Sequence, residues 1–140
     1  MLYLISEITD NIIEHAGVNR GWLLIQYYPT NEYLDLCIID TGKTLLGSYK
    51  EHVFTDITTD AEAIKAAIEG ISTKGDKRGS GIRTSKAIST IGLQGDFTIL
   101  SGNSIYYNDK ILPLPVHWPG TIIAMRIKKG IQNFSIYNYV

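Results

Sequence analysis

The sequence has few of the features that define several large classes of protein. It has a single cysteine in 140 residues, which excludes an internal disulfide. A net charge of −1 supplies no overall basic field for nucleic acid or an anionic membrane. No apolar stretch approaches the roughly 18 residues of a membrane span, and the three histidines have no metal-ligand spacing with Cys37. These absences predict a cytoplasmic protein with no membrane segment, no nucleic-acid partner and no zinc site.

The length and the apolar content predict one domain with its own core. At 140 residues and 44% hydrophobic, the chain is too short to favour two domains. Its first residues enter a helical pattern at once and have no positively charged signal-peptide region. We therefore interpret residues 1–140 as one domain that forms the C-terminal part of a longer protein.

Apolar periodicity predicts three helices and five strands. The helices are expected over residues 2–16, 59–70 and 82–91, and the strands over residues 22–28, 33–39, 96–100, 104–107 and 121–127. This order predicts an α+β fold of two layers, in which a mixed and mainly antiparallel sheet is covered on one face by helices.

Turn and cap residues set the expected ends of these elements. Residues 29–32 predict a hairpin turn, and further turns are expected at Gly102-Asn103 and Asn108-Asp109. Residues 59–62 form a capping box, and the helices are expected to end at Gly17, Gly70 and Gly92. Residues 41–58 have no convincing period, and the prolines of residues 111–119 predict an irregular or edge segment.

The first polar cluster lies on the predicted N-terminal helix. Glu7 and Asn11 are four positions apart, so their side chains share one helix face. Asn11 can offer an oxygen to Mg²⁺, and Glu7 can then polarise a water molecule. The alternative is an ordinary solvated helix face.

The second cluster ends a predicted strand. Asp40 follows the apolar residues 36–39, and Gly42 lets the backbone turn where a side chain would obstruct a ligand. A carboxylate at a buried strand end can accept a hydrogen bond from the exocyclic amine of adenine. The alternative is an ordinary exit from strand to turn.

The third cluster is a basic loop with several glycines between Ser72 and Gly81. It precedes the third predicted helix, where backbone N–H groups and the helix dipole favour phosphate. A flexible surface loop is the alternative, and the spacing does not fit a Rossmann fingerprint. The loop combines three glycines with basic residues that include Lys74, and it leads into the helix through Gly79, Ser80 and Gly81.

The order of these motifs resembles the GHKL superfamily of ATP-binding domains, which includes gyrase B, Hsp90, histidine kinases and MutL. Residues 6–16 resemble its N box, residues 40–42 its G1 box and residues 78–82 its G2 box. Residues 119–127 are similar to the closing strand of these domains. The resemblance spans nearly the whole chain and implies the Bergerat-type ATP-binding fold.

The resemblance also implies roles for individual residues. Asn11 would be the Mg²⁺ ligand, Glu7 the catalytic base, and Asp40 the adenine reader supported by Gly42. Lys74, Gly79 and Gly81 would lie near the phosphates. The expected ligands are ATP or ADP with Mg²⁺, and the expected activity is that of an ATPase or a protein kinase-like transferase in signal transduction, with a protein partner or phosphoacceptor.

Two departures from the family pattern leave alternatives open. Thr44 and Arg83 stand where GHKL domains usually have glycine, so a degenerate domain that binds a partner or senses nucleotide without hydrolysis is the main alternative. Asp40-Thr41-Gly42 also matches the signature of aspartic proteases, in which paired carboxylates activate water. That class is almost wholly β, whereas this sequence has three helical patterns.

Overall fold

The computed structural model describes residues 17–18, 20–71 and 81–129, together with Ser6, Asp10 and Ser135 as single positions. The helix predicted over residues 2–16 lies outside this part of the chain except for Ser6 and Asp10, which are both helical. Gly17 has a φ of +65°, the left-handed conformation typical of a residue that follows a helix.

A four-stranded antiparallel sheet organises the described residues. Its strands are β1 (Gly21–Tyr28), β2 (Tyr33–Asp40), β3 (Asp96–Tyr107) and β4 (Lys110–Lys128), and their order across the sheet is β1-β2-β4-β3. Every pair of neighbouring strands is antiparallel. The sheet and its helices confirm the α+β class.

The β1–β2 hairpin confirms the first turn prediction. Aromatic and aliphatic residues form both strands, as is usual for a pleated surface. The turn occupies residues 29–32, and Glu32 completes it in the left-handed region with a φ of +54°. The register pairs Gly21 with Asp40 and Tyr28 with Tyr33.

The second hairpin joins β3 to β4, and of the two turns predicted in this region only one is present. Asn108 and Asp109 form the expected tight turn, with φ values of +49° and +56°. The turn predicted at Gly102-Asn103 is wrong, because β3 continues through this point as an irregular step in its pairing with β4. Gly102 has a φ of +61°, and the carboxylate of Asp60 occupies the space where a side chain would be.

The proline-containing residues 111–119 belong to β4. Pro113 pairs with Ser104 and Trp118 with Gly102, so the register shifts between these two pairs. β2 pairs with β4 only from Ile122 onward. The expectation of an irregular or edge segment is therefore correct in part, because this half of β4 is a strand with one paired side within the described chain.

Three helices lie within residues 20–71 and 81–129, and the first was not predicted. Helix α1 (Leu45–Glu51) is too short for a clear apolar period, and the Thr44 hydroxyl caps it by accepting a hydrogen bond from Gly47 N at 3.1 Å. Helix α2 (Asp60–Glu69) has the predicted capping box and ends at Gly70, where φ is +85°.

Helix α3 (Gly81–Ala87) continues into a π-helical turn over Ile88–Gly92. The predicted cap at Gly92 is wrong, because Leu93 is the capping residue and its N–H bonds to the carbonyl of Ile88. No helix of the described ranges is long and apolar enough to cross a membrane.

The core lies between the helices and one face of the sheet. Alternation along β2 defines this face, because Leu36, Ile38 and Asp40 are buried while Cys37 and Ile39 are only partly so. The most deeply buried large side chains are Leu36, Ile64, Ile88 and Ile99. Asp40 is therefore on the helix side of the sheet, at the end of an apolar strand.

Candidate functional site

Asp40 is the most unusual polar residue of the described chain. It is the last residue of β2, and its relative exposure is 3%. The strand brings it there because the period of two that buries Leu36 and Ile38 also turns the Asp40 side chain inward. A carboxyl group is rarely buried to this degree unless it is paired with a cation or bound to a ligand.

Backbone N–H groups hold the Asp40 carboxylate. Gly42 N donates to its Oδ1 at 2.9 Å, and the backbone N–H of Thr121 also favours the charged form of the carboxylate. Burial raises the pKa of Asp40 above its ordinary value, and the two N–H donors only partly oppose this rise. Within the described residues no lysine or arginine forms an ion pair with it.

Two residues of β4, just before the segment that pairs with β2, fix the backbone of Asp40. The indole Nε1–H of Trp118 donates to the main-chain carbonyl of Asp40 at 3.0 Å. Gly120 is buried against the same residue, and a Cβ added there would lie 2.5 Å from Asp40 Oδ1 and would also overlap the main-chain oxygen. The site therefore requires glycine at position 120.

Ser101 connects this cluster to helix α1. Its buried hydroxyl accepts a hydrogen bond from Leu45 N at 2.9 Å and lies 3.1 Å from the carbonyl oxygen of Gly120, to which it donates. One hydroxyl thus joins the segment after Gly42 to the strand that contacts Asp40. The arrangement limits independent movement of the loop and the carboxylate.

An open depression lies beside this strand end. Its volume is about 390 Å³, and its lining includes Val18, Arg20, Trp22 and Thr41. Thr41 directly follows Asp40, and Gly21 pairs with Asp40 across the hairpin. The depression and the buried carboxylate are therefore at the same end of the β1–β2 hairpin.

The structure describes three of the predicted site residues. Asp40 and Gly42 are in direct contact through the hydrogen bond above, and Gly81 is buried at the start of α3. The other predicted residues lie outside the described chain: Glu7, Asn11, Lys74, Gly79 and Ser80. Within the described ranges no cluster of three or more His, Cys, Asp or Glu residues is able to hold a metal ion.

The two departures from the family pattern have structural roles. Thr44 caps α1 with its hydroxyl. The aliphatic part of the Arg83 side chain packs against Gly70, so that a Cβ added to Gly70 would lie 2.8 Å from Arg83 Cδ. Thr44 thus has a capping role and Arg83 a packing role in the fold.

Sequence reasoning missed the contributions of Trp118 and Ser101. Trp118 lies in the proline-rich stretch, and Ser101 lies within an ordinary strand pattern, so neither has a local signal of its role. Their contacts join residues that are 78 and 56 positions apart in the chain. Such contacts follow from the sheet order, which the sequence pattern does not specify.

No protein-family model, curated protein or solved structure matches the chain. The functional argument therefore depends on the residues of the site.

Proposed function

We propose that this chain is an adenine-nucleotide-binding domain of the GHKL type, with a Bergerat-type fold. It binds ATP or ADP with Mg²⁺ and acts in cytoplasmic signalling as an ATPase or a kinase-like phosphotransferase. The observation that supports this most strongly is the buried carboxylate of Asp40, which has backbone N–H partners and no cation among the described residues.

The chemistry of this carboxylate suits an adenine ring. Removing an ionised carboxyl from water costs free energy unless its oxygens accept hydrogen bonds. Gly42 N supplies one donor, and an exocyclic amine would supply another. An adenine base offers such an amine on a flat apolar ring.

The remaining parts of the proposed site come from the family resemblance. Asn11 would hold Mg²⁺, and Glu7 would orient the attacking water or phosphoacceptor. Lys74, Gly79, Ser80 and Gly81 would contact the phosphates. The antiparallel sheet with helices on one face is compatible with this assignment.

The main alternative is a degenerate GHKL domain that binds a protein partner without hydrolysis. Thr44 favours this alternative, because it replaces a glycine that is expected near the nucleotide. Its hydroxyl caps α1 by accepting a hydrogen bond from Gly47 N. An aspartic protease is disfavoured, since three helices pack on the described sheet and that class is almost wholly β.

The test is calorimetric titration of the 140-residue chain with ADP, with and without Mg²⁺. We expect Mg²⁺-dependent binding, weakened by at least about tenfold in Asp40→Asn, because asparagine has one acceptor oxygen and its N–H₂ would face either the Gly42 N–H or the adenine amine. Asp35→Asn, on the same strand, is the matched control and should bind normally. Glu7→Ala should retain binding and lose any hydrolysis.

Two results would overturn the proposal. Absence of heat at millimolar ADP, with circular dichroism showing folded protein, would favour the interaction module. Hydrolysis of an unstructured protein that disappears in Asp40→Asn would favour the protease.

A further inference from the structure

Trp118 is a large aromatic side chain that the core does not use. It is half-buried, and within the described ranges it belongs to neither cluster of packed core side chains and stacks on no other aromatic ring. Tryptophan is among the side chains that contribute most when they are buried, in a core or in an interface. A tryptophan left partly exposed beside a candidate site is therefore available to a ligand.

The indole N–H determines where this ring lies. Nε1 of Trp118 donates to the main-chain carbonyl of Asp40 at 3.0 Å. The carbonyl and the carboxylate of Asp40 belong to one residue, so covalent geometry keeps the indole nitrogen within about 8 Å of the carboxylate. A base whose amine binds to the carboxylate is therefore close enough to contact the indole ring.

An irregularity in β4 turns Trp118 toward the site. Residues 119–120 separate Trp118 from Thr121 in β4, whereas the pairing partners of these two residues are consecutive in β3. Extra residues of this kind bend a strand and change the direction of its side chains, and they are over-represented next to active sites. The position of the indole thus follows from the strand geometry.

The segment that carries Trp118 is held in place on both sides of the extra residues. Ser101 Oγ donates to the carbonyl oxygen of Gly120 at 3.1 Å, and Pro119 restricts the backbone of Trp118 to extended conformations. Because the ring is also anchored by its own N–H, little conformational entropy is left to lose when a ligand binds. The indole is a preorganised surface.

A fixed aromatic ring beside a hydrogen-bonding carboxylate suits a purine base. Bases stack on aromatic side chains whatever their substituents, and each stack changes affinity by roughly 5- to 150-fold when the aromatic residue is replaced by alanine. A hydrogen bond to the carboxylate adds less net affinity, because the amine of the free base is already hydrogen-bonded to water. The carboxylate instead distinguishes one base from another.

We propose that Trp118 forms an aromatic wall of the adenine site and stacks on the base while Asp40 binds its amine. Trp118 then supplies affinity for the base, and Asp40 selects adenine. This inference rests on the proposed nucleotide-binding function.

Tryptophan emission of the 140-residue chain tests the contact without altering Trp118. The chain has two tryptophans, so Trp22→Phe leaves Trp118 as its only indole. ADP with Mg²⁺, at a concentration that calorimetry shows to saturate this variant, should reduce quenching of the emission by acrylamide at least about twofold, because the base covers the ring. Adenosine should have the same effect, and pyrophosphate, which has no base, should have none.

Trp118→Phe and Trp118→Leu form a matched pair of variants. Both lack the indole N–H, and only phenylalanine keeps an aromatic ring. In calorimetry, ADP should bind Trp118→Phe within about threefold of the unmodified chain and Trp118→Leu at least about fivefold more weakly. Circular dichroism checks that both variants are folded.

The outcomes separate this inference from the function on which it rests. Absence of ADP binding to the unmodified chain would overturn the proposed function and this inference with it. ADP binding that leaves acrylamide quenching of Trp118 unchanged would overturn this inference alone. An equal effect of pyrophosphate, or equal losses of affinity in the two Trp118 variants, would also overturn it and would limit Trp118 to holding the Asp40 carbonyl.

Discussion

Two carboxyl groups on strand β2 show opposite electrostatic behaviour. Asp35 is on the open face, and both of its oxygens accept hydrogen bonds from Arg126, with Nε–Oδ1 and Nη2–Oδ2 distances of 2.7 Å. This hydrogen bonding lowers the pKa of Asp35. Asp40 is on the helix side, where burial raises its pKa.

The difference separates a structural acid from a candidate ligand-binding acid. Asp35 lies directly opposite Arg126 in the β2–β4 register, so the ion pair is a cross-strand contact within the sheet. Asp40 has no such partner among the described residues. Asp40 is a buried acid at a strand end, and its pKa is raised toward neutral pH. This combination is a recognised sign of a functional site.

The largest expected effect comes from filling the space beside Asp40. Gly120→Ala should lower the free energy of unfolding by about 3 kcal/mol, because the added methyl overlaps main-chain and side-chain atoms of Asp40. Urea unfolding measures it. The matched control is Gly47→Ala in α1, where the nearest atom would be 3.5 Å away, and a gain of about 0.5–1 kcal/mol is expected. Equal stability of Gly120→Ala and the unmodified chain would contradict the described packing.

Removal of the indole donor should have a smaller effect. Trp118→Phe leaves the Asp40 carbonyl without its hydrogen bond, so we expect a loss of about 1–2 kcal/mol in urea unfolding. Trp22→Phe provides the comparison at an exposed tryptophan and should change stability by less than about 0.5 kcal/mol. Similar losses in both variants would mean that the Trp118 hydrogen bond is unimportant.

Asp40→Asn should stabilise the protein at neutral pH, by on the order of 1 kcal/mol, because it removes a buried charge. The direction of the pH dependence follows from the raised pKa of Asp40 in the folded protein. Folded Asp40 binds its proton more tightly than unfolded Asp40, so stability falls as pH rises from the ordinary value of 3.8 through the folded pKa. Unfolding measured over this pH range should lose that slope in Asp40→Asn. Retention of the slope would assign it to another group.

Asp35→Asn should have the smallest effect and the opposite pH dependence. Its lowered pKa adds stability that is present above the ordinary value of 3.8 and is lost as pH falls through the folded pKa. The ion pair is partly exposed, so we expect a loss of about 0.5 kcal/mol or less at neutral pH and none in strong acid. Unfolding at both pH values checks this. A larger loss in acid than at neutral pH would contradict the assignment.

Local patterns in the sequence predicted much of this fold. The β1–β2 hairpin, the capping box of α2 and the strand-end position of Asp40 all follow from residues that are near one another in the chain. Helix α1 was missed because seven residues give too little periodicity. The continuation of β3 past Gly102 depends on Asp60, which is 42 positions away, and no short-range pattern contains that contact.

The most direct test of the Asp40 site is an NMR titration of the Asp35 and Asp40 carboxyl groups, with and without excess ADP and Mg²⁺. In the free protein, Asp40 should titrate above its ordinary pKa and Asp35 below it. Bound adenine would favour the charged form of Asp40, so ADP should lower the pKa of Asp40 and leave that of Asp35 unchanged. An Asp40 titration that ADP does not alter would contradict the proposed site.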